Sequence, residues 1–154
     1  INTSLSNAIV QEAIEDEKIL SLQGYQFLYR EVKYGENSRI DVLLQSNSRR
    51  DCYVEVKNVT MRRDKFAEFP DAITNRGTKH LLELTNRVKA GDRGVMLYLI
   101  QRGDCDKFSI ASDIDPAYAD AFFAAREAGV EMLCYKCKVT REKIVLDDSV
   151  SLEF

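Results

Sequence analysis

Ser38-Arg-Ile-Asp-Val-Leu-Leu44, a polar turn, and then Asp51-Cys-Tyr-Val-Glu-Val-Lys-Asn58 form the stretch that decides the fold. In the first run Ile40, Val42 and Leu44 alternate with Arg39, Asp41 and Leu43; in the second, Val54 and Val56 alternate with Tyr53, Glu55 and Lys57. A period of two is the mark of a half-buried strand. Successive side chains of a strand point to opposite faces, so Glu55 and Lys57 share a face. Joined as a hairpin through residues 45–50, the runs bring Asp41 beside them. Two carboxylates and a lysine then converge on one spot.

Outward from this stretch, residues 2–20 carry Leu5, Ala8, Ile9, Ala13, Ile19 and Leu20 at helical spacing, with Asn2, Thr3 and Ser4 as capping candidates. At about 100° per residue Glu12 falls between Ala8 and Leu5, inside that stripe. It either sits at the stripe's edge and reaches water or points into a polar site. Residues 25–34 are aromatic and β-branched and end at Gly35, which predicts a first strand ahead of the pair. The connections are short enough for an antiparallel meander.

Residues 60–75 have no clear period and read as a long loop holding Arg62, Arg63, Lys65, Phe66 and Phe69. Basic residues interleaved with phenylalanines suit a phosphate backbone with nearby bases; the same composition also describes a loop anchored by two buried rings with its charges in solvent. Residues 76–90 predict a second helix, with Leu81, Leu84 and Val88 inward and Arg76, His80, Glu83 and Arg87 on its other face. A lone histidine on a polar face either assists a site near the helix start or is simply solvated. The apolar run 94–101 predicts a central strand covered on both faces and parallel to the third through a right-handed crossover. A third helix over 113–128 opens on Asp-Ile-Asp-Pro and closes at Gly129, and a fifth strand follows over 130–140. A short last strand is expected at 143–146, and 150–154 reads as another edge piece or a frayed terminus. The order α-β-β-β-α-β-α-β implies an α/β fold, a mixed sheet with helices on its faces.

At 154 residues and 45% hydrophobic, the chain suits one domain with a sizeable core. No apolar run approaches the roughly 18 residues of a membrane span and no signal segment opens the chain, so no membrane partner is expected and the default location is cytoplasmic. The first residue is Ile1, which suggests a piece of a longer protein. Cys52, Cys105, Cys134 and Cys137 are expected reduced. The Cys134-x-x-Cys137 pair lies in a β-like run, where positions three apart face opposite ways, and further zinc ligands are lacking near by, so core thiols are the expectation. Net charge is −3, but residues 49–89 hold ten Lys or Arg against six Asp or Glu, which leaves −7 elsewhere. That electropositive centre is a footprint a polyanion can use, or a solvated surface.

Hard divalent cations prefer oxygen ligands and keep several waters, so one or two carboxylates plus substrate phosphate make a site. Asp41 and Glu55 supply the carboxylates, and the Val56 carbonyl a third oxygen if the strand frays there. Lys57 projects beside Glu55, placed to act on an attacking water and to steady charge on phosphorus. This outlines metal-assisted phosphodiester hydrolysis with one or two Mg²⁺ or Mn²⁺ ions. An isolated E-x-K is also a common exposed strand pair; the order of elements around it narrows the choice. A small-molecule enzyme using Lys57 or His80 is a further reading, but no glycine-rich phosphate loop or cofactor motif accompanies it, and no small-molecule cofactor is expected.

Asp41 with Glu55-Val56-Lys57 resembles the PD-(D/E)XK, restriction-endonuclease-like signature. Almost the whole chain is similar to the C-terminal part of the bacterial sugar fermentation stimulation protein family. The matching pieces are Glu12-Ala-Ile14, Val32-Lys-Tyr-Gly35, Ser38-Arg-Ile-Asp41, Tyr53-Val-Glu-Val-Lys57, Val59-Thr60, Phe69-Pro-Asp-Ala72, Arg76-Gly77, Lys79-His-Leu81, Glu83-Leu84, Ile114-Asp115 and Gly129-Val130-Glu131. The resemblance implies a three-layer α/β/α nuclease-like core spanning 1–154, preceded in the full-length protein by a small OB-like barrel absent from this chain. It implies Asp41 and Glu55 as metal ligands, Lys57 as the catalytic-type lysine and Glu12 as the first-helix carboxylate some nuclease folds add. It further implies DNA as partner and a transcription-regulatory link to sugar, particularly maltose, utilisation. Arg62, Arg63, Lys65, Arg76, Lys79 and His80 are the candidate nucleic-acid contacts, and a regulatory module whose metal site is a structural relic is the alternative to cleavage.

Overall fold

The expected meander opens the main sheet in a computed structural model that describes residues 3–154. Strands β1 (Phe27–Tyr34), β2 (Ser38–Ser46) and β3 (Arg49–Val59) pair antiparallel in sequence order. Strand β3 then pairs parallel with β6 (Arg93–Ile100), after the intervening β4 (Met61–Arg63), β5 (Phe66–Phe69) and helix α2 (Asn75–Lys89). Beyond β7 (Lys107–Ile110) and helix α3 (Pro116–Ala128), β8 (Glu131–Val139) adds parallel to β6, and β9 (Ile144–Ser149) closes the edge antiparallel. The order across this mixed sheet is β1-β2-β3-β6-β8-β9. The continuous apolar run of β6 is buried from Gly94 to Ile100 because helices cover both its faces.

On one face, Ile9, Val10, Ala13 and Ile14 of helix α1 (Thr3–Glu15) pack on Val42, Val54, Val56, Val95, Leu97 and Leu99. On the other, Leu81 and Leu84 of α2 and Tyr118 and Phe122 of α3 pack on Met96, Tyr98 and Ile100. Each such aliphatic side chain, fully buried, contributes about 1.5–3 kcal/mol, so the three-layer α/β/α arrangement rests on both seams. Cys134 belongs to one core and Cys137 to the other, and all four cysteines are buried free thiols. Among the described residues no helix is long and apolar enough to cross a membrane.

Three expectations need correction. Helix α1 ends at Glu15, not near residue 20, and its buried positions are Ser6, Ile9, Val10, Ala13 and Ile14. Ala8 and Glu12, one turn apart, share the exposed face, because the bulkier Val10 and Ile14 win the sheet side. Of the capping candidates, Asn2 lies outside the described residues. Residues 60–75 are not structureless: β4 and β5 form a hairpin in a second sheet ordered β10-β7-β5-β4, where β10 is Ser151–Leu152. That sheet buries Ala67 and Phe108 against the α2/α3 side. Its short strands carry too few alternating positions to announce themselves.

The third correction concerns the opening stretch. Ile40 sits in the core under α2 and α3, whereas Val42 and Leu44 sit in the core under α1. Two residues apart in a regular strand share a face, so the strand is broken between them. The β1–β2 ladder pairs Arg30 with Val42 and Val32 with Ile40 but omits Glu31 opposite Asp41. Glu31 there adopts φ of 52°, the left-handed region a non-glycine residue enters at a cost.

Candidate functional site

That break turns Asp41 edge-on to the sheet, where it reaches both layers. Asn7 of α1 donates through Nδ2 to Asp41 Oδ1 at 3.0 Å, and the backbone N–H of Val56 donates to Oδ2 at 2.8 Å. The β2–β3 pairing stops at Val42 and Val54, so the Asp41 carboxylate stands in for the missing backbone partner of Val56. In a strand, the N–H and C=O of one residue face the same neighbour. The Val56 carbonyl therefore turns to the same parted edge as its N–H.

Glu55 and Lys57 project from β3 toward α2. Lys57 Nζ lies 2.9 Å from His80 Nδ1 and 3.9 Å from Glu55 Oε1, and His80 Nδ1 lies 3.3 Å from the same Glu55 oxygen. His80 is buried rather than solvated. Burial first, then the cations Lys57, Arg76 and Lys79, push its pKa down to about 3, so the ring is neutral, with Nδ1 within reach of both the lysine and Glu55. Burial also lowers the Lys57 pKa, with Arg76 adding to it, while Glu55 and Asp41 oppose. Glu55 is raised to about 9 by burial first and then by the neighbouring Asp41 charge, against the pull of Lys57 and Arg76.

The donor set suits a hard cation. Among the described residues, Glu55 Oε2 is buried with no hydrogen-bond partner, a state that costs on the order of 1–3 kcal/mol. It lies beside a second carboxylate whose charge opposes its own ionisation. A divalent ion relieves both the orphaned oxygen and the repulsion. Asp41, Glu55 and the Val56 carbonyl are the groups that would hold it. Among the described residues, no group of three or more His, Cys, Asp or Glu is placed to hold a metal ion, so an ion bound by these two carboxylates would draw its other ligands from water or substrate.

Around these groups opens a cleft of about 470 Å³. Glu31, Glu68 and Arg30 line it as well, none of them marked out by sequence, since the hairpins and loops that supply them meet only in the fold, and so does Asp71 of the family-like stretch Phe69-Pro-Asp-Ala72. Asn58 also lines it, accepting from Ser6 at 3.1 Å, while its buried Nδ2 has no partner among the described residues. Helix α2 begins at the cleft: Thr74 caps it by accepting from Gly77 N–H at 3.0 Å, and Thr74 N–H donates to Asp115, which in turn caps α3.

The remaining expected residues divide. Glu12 is exposed and stands outside the cleft; the α1 side chain that reaches Asp41 is Asn7. Arg76 lines the cleft and is exposed. Lys79 donates to the Glu36 carbonyl at 2.7 Å. Arg62 meets Asp104 at 3.3 Å, and the Arg63 fork is shared between Glu68 and Asp113. Lys65 is exposed at the β4–β5 turn and does not line the cleft.

Residues 4–143 match the family model described as the sugar fermentation stimulation protein RE domain. A sugar fermentation stimulation protein homolog of Paramagnetospirillum magneticum is 51% identical over 153 residues, covering 99% of this chain and 65% of that protein. A homolog from Jannaschia sp. is 53% identical over 148 residues, covering 95% of this chain and 61% of that one. The solved structure of Pyrococcus furiosus SfsA in complex with Ca²⁺ superposes with a TM-score of 0.91 at 27% identity, covering all of this chain and 66% of that one. The chain thus spans about two thirds, or slightly less, of the proteins it matches.

Proposed function

Because the chain belongs to the sugar fermentation stimulation protein family, we propose that it is the nuclease-fold part of a DNA-binding protein whose cleft takes a divalent cation. The observation that carries this reading is the buried Glu55 Oε2, without a hydrogen-bond partner among the described residues, beside the second carboxylate of Asp41. The Pyrococcus furiosus relative, recorded with Ca²⁺, supports a hard, oxygen-ligated ion of the Mg²⁺, Mn²⁺ or Ca²⁺ kind. When bound, such an ion polarises a phosphoryl oxygen and lowers the pKa of its water.

The chain's own residues supply the rest. Asn7 and the Val56 N–H orient the Asp41 carboxylate. Lys57, held by neutral His80 and with a lowered pKa, is placed to exchange a proton with a water at the phosphate and to stabilise charge on it. The same arrangement supports a second reading, a regulatory DNA-binding module without cleavage. Glu12 does not add its carboxylate to the site, which leaves fewer ligands than some nuclease folds use.

The test is thermal denaturation with Mg²⁺, Mn²⁺ or Ca²⁺, alongside incubation with duplex and single-stranded DNA. Cation stabilisation lost in Asp41→Ala, with Mn²⁺-dependent cleavage lost in Lys57→Ala, supports the first reading. Cation binding without cleavage of any DNA supports the second. Cation stabilisation that survives Asp41→Ala and Glu55→Gln alike sinks the site assignment. A link to sugar utilisation rests on family resemblance alone.

A further inference from the structure

The cleft faces its substrate with the carboxylates of Glu31, Asp41, Glu55, Glu68 and Asp71. A polyanion is repelled by such a surface unless cations outside the cleft hold its backbone. On the β4–β5 side the arginines are spent: Arg62 pairs with Asp104, and Arg63 with Glu68 and Asp113. Across the cleft the situation reverses. A second cavity of about 550 Å³, lined by Asn37, Arg39, Asn75, Arg76 and Lys79, runs between the start of α2 and the β1–β2 turn. It shares Arg76 and His80 with the main cleft, so the two adjoin.

The two arginines here are unspent. Among the described residues neither Arg39 nor Arg76 makes a hydrogen bond or ion pair, and Arg39 stands directly opposite Lys33 across the β1–β2 ladder. Like charges directly opposite on a sheet are destabilising. The same arrangement is favourable when an anion lies between them. Arg76 and Lys79 are three apart on α2 and face the same groove.

The groove is also built to keep its shape. Buried Glu83 of α2 accepts from the Glu36 N–H at 3.0 Å and from the Ser38 hydroxyl, clamping the turn to the helix. Lys79 adds a bond from α2 to the Glu36 carbonyl. Gly35 permits this approach: a Cβ there would lie 1.9 Å from Glu83 Oε2.

We propose that this groove opens the backbone track of a nucleic-acid strand, with a phosphate held by Arg76 and Lys79 at the cleft and the strand then passing around the β1–β2 turn to Arg39 and Lys33, which alternate with Ser38, Ile40 and Tyr34 and so project from the other face of the sheet. The proposal rests on the nucleic-acid reading above and assigns that ligand its direction across the molecule. The line of cations crosses two elements and extends away from the cleft, which suits a repeating anion better than a compact one. Contacts of this kind position a strand without reading its sequence.

The test measures binding of a short fluorescein-labelled duplex, and of its single strand, by fluorescence anisotropy over a range of salt concentrations. Wild type is compared with Arg39→Glu, Arg76→Glu and the control Lys89→Glu. The control makes the same net-charge change at the other end of α2, about 20 Å away at 1.5 Å per residue. Arg39 and Arg76 are exposed and make no hydrogen bond or ion pair among the described residues, so both variants fold, and circular dichroism of each checks this before its binding is read. Expected is a loss of about tenfold or more for each track variant, and a decrease of about one in the slope of log K on log salt. Lys89→Glu changes affinity less than twofold. If Arg39→Glu and Arg76→Glu behave like the control while wild type binds and retains its Asp41-dependent cation shift, the track is overturned and the site reading stands. A loss confined to charge reversal at Arg62 and Arg63 places the backbone on the opposite wall and also overturns it. Wild type that binds neither DNA form removes the nucleic-acid reading, and the track with it.

Discussion

Glu55→Gln is expected to make the protein more stable while destroying its cation response. In the unfolded chain Glu55 ionises near its ordinary value of 4.5; in the folded chain burial and Asp41 raise it to about 9. Folding between these values takes up a proton, so this group's contribution to stability is fully present below pH 4.5 and is lost as pH rises toward about 9. At about 1.4 kcal/mol per pH unit, the loss is about 2 kcal/mol near pH 6 and about 4 kcal/mol near pH 7.5. Glutamine matches the protonated carboxyl in shape and has no charge to bury. Its extra buried N–H costs about 1 kcal/mol, which leaves a net gain of about 3 kcal/mol near pH 7.5. For a domain of this size that is about 6–12 °C in melting temperature. The assay is scanning calorimetry or near-UV circular dichroism of wild type and variant, without and with Mn²⁺, from about pH 5 to 9. The gain should grow with pH, and Mn²⁺ should stabilise only wild type. A variant that melts at or below wild type throughout, or a difference that does not vary with pH, would refute the reasoning.

Cation affinity of the wild type, followed by isothermal titration calorimetry, should rise with pH by up to tenfold per unit until about pH 9, because Glu55 must release its proton to bind; an affinity flat from pH 6 to 8 contradicts this. Gly35→Ala should cost at least about 2 kcal/mol in urea denaturation, since Gly35 has φ of 57° and a Cβ there collides with Glu83; an unchanged midpoint removes the clamp from the account. Arg93→Met should cost about 2–3 kcal/mol, because Arg93 joins Glu131 at 2.6 Å, the Tyr25 hydroxyl at 2.8 Å and the Ser21 carbonyl at 3.1 Å; a loss below about 0.5 kcal/mol contradicts it.

Much of the fold is legible because its signals are local. The alternation in residues 38–44 and 51–58, the apolar run at 94–101, and the Asp115 cap with Pro116 behind it each place an element within a few residues of its observed bounds. The spacing of Glu55 and Lys57 puts them on one face for the same reason. The phase of α1 is not legible locally because its apolar residues cover about two thirds of the helix circumference at about 100° per residue, so only the sheet beneath decides whether Ala8 and Glu12 or Val10 and Ile14 turn inward. Similarly, His80 looks like one more polar residue on a charged helix face until β3 brings Lys57 against it.

By itself the sequence determined the order of the main-sheet strands and the three helices, the mixed sheet and the candidate carboxylates and lysine, since strand and helix periods are properties of neighbouring residues. The tertiary structure alone decided that Asp41 stands edge-on between two cores, that Asn7 rather than Glu12 meets it, and that Arg39 joins Arg76 beside the cleft while Arg63 is neutralised. The physical reason is that burial and charge pairing depend on residues brought together from distant parts of the chain: Asn7 and Asp41 are 34 apart in sequence, and Arg63 and Asp113 are 50 apart. No local pattern encodes which of several similar side chains finds its partner.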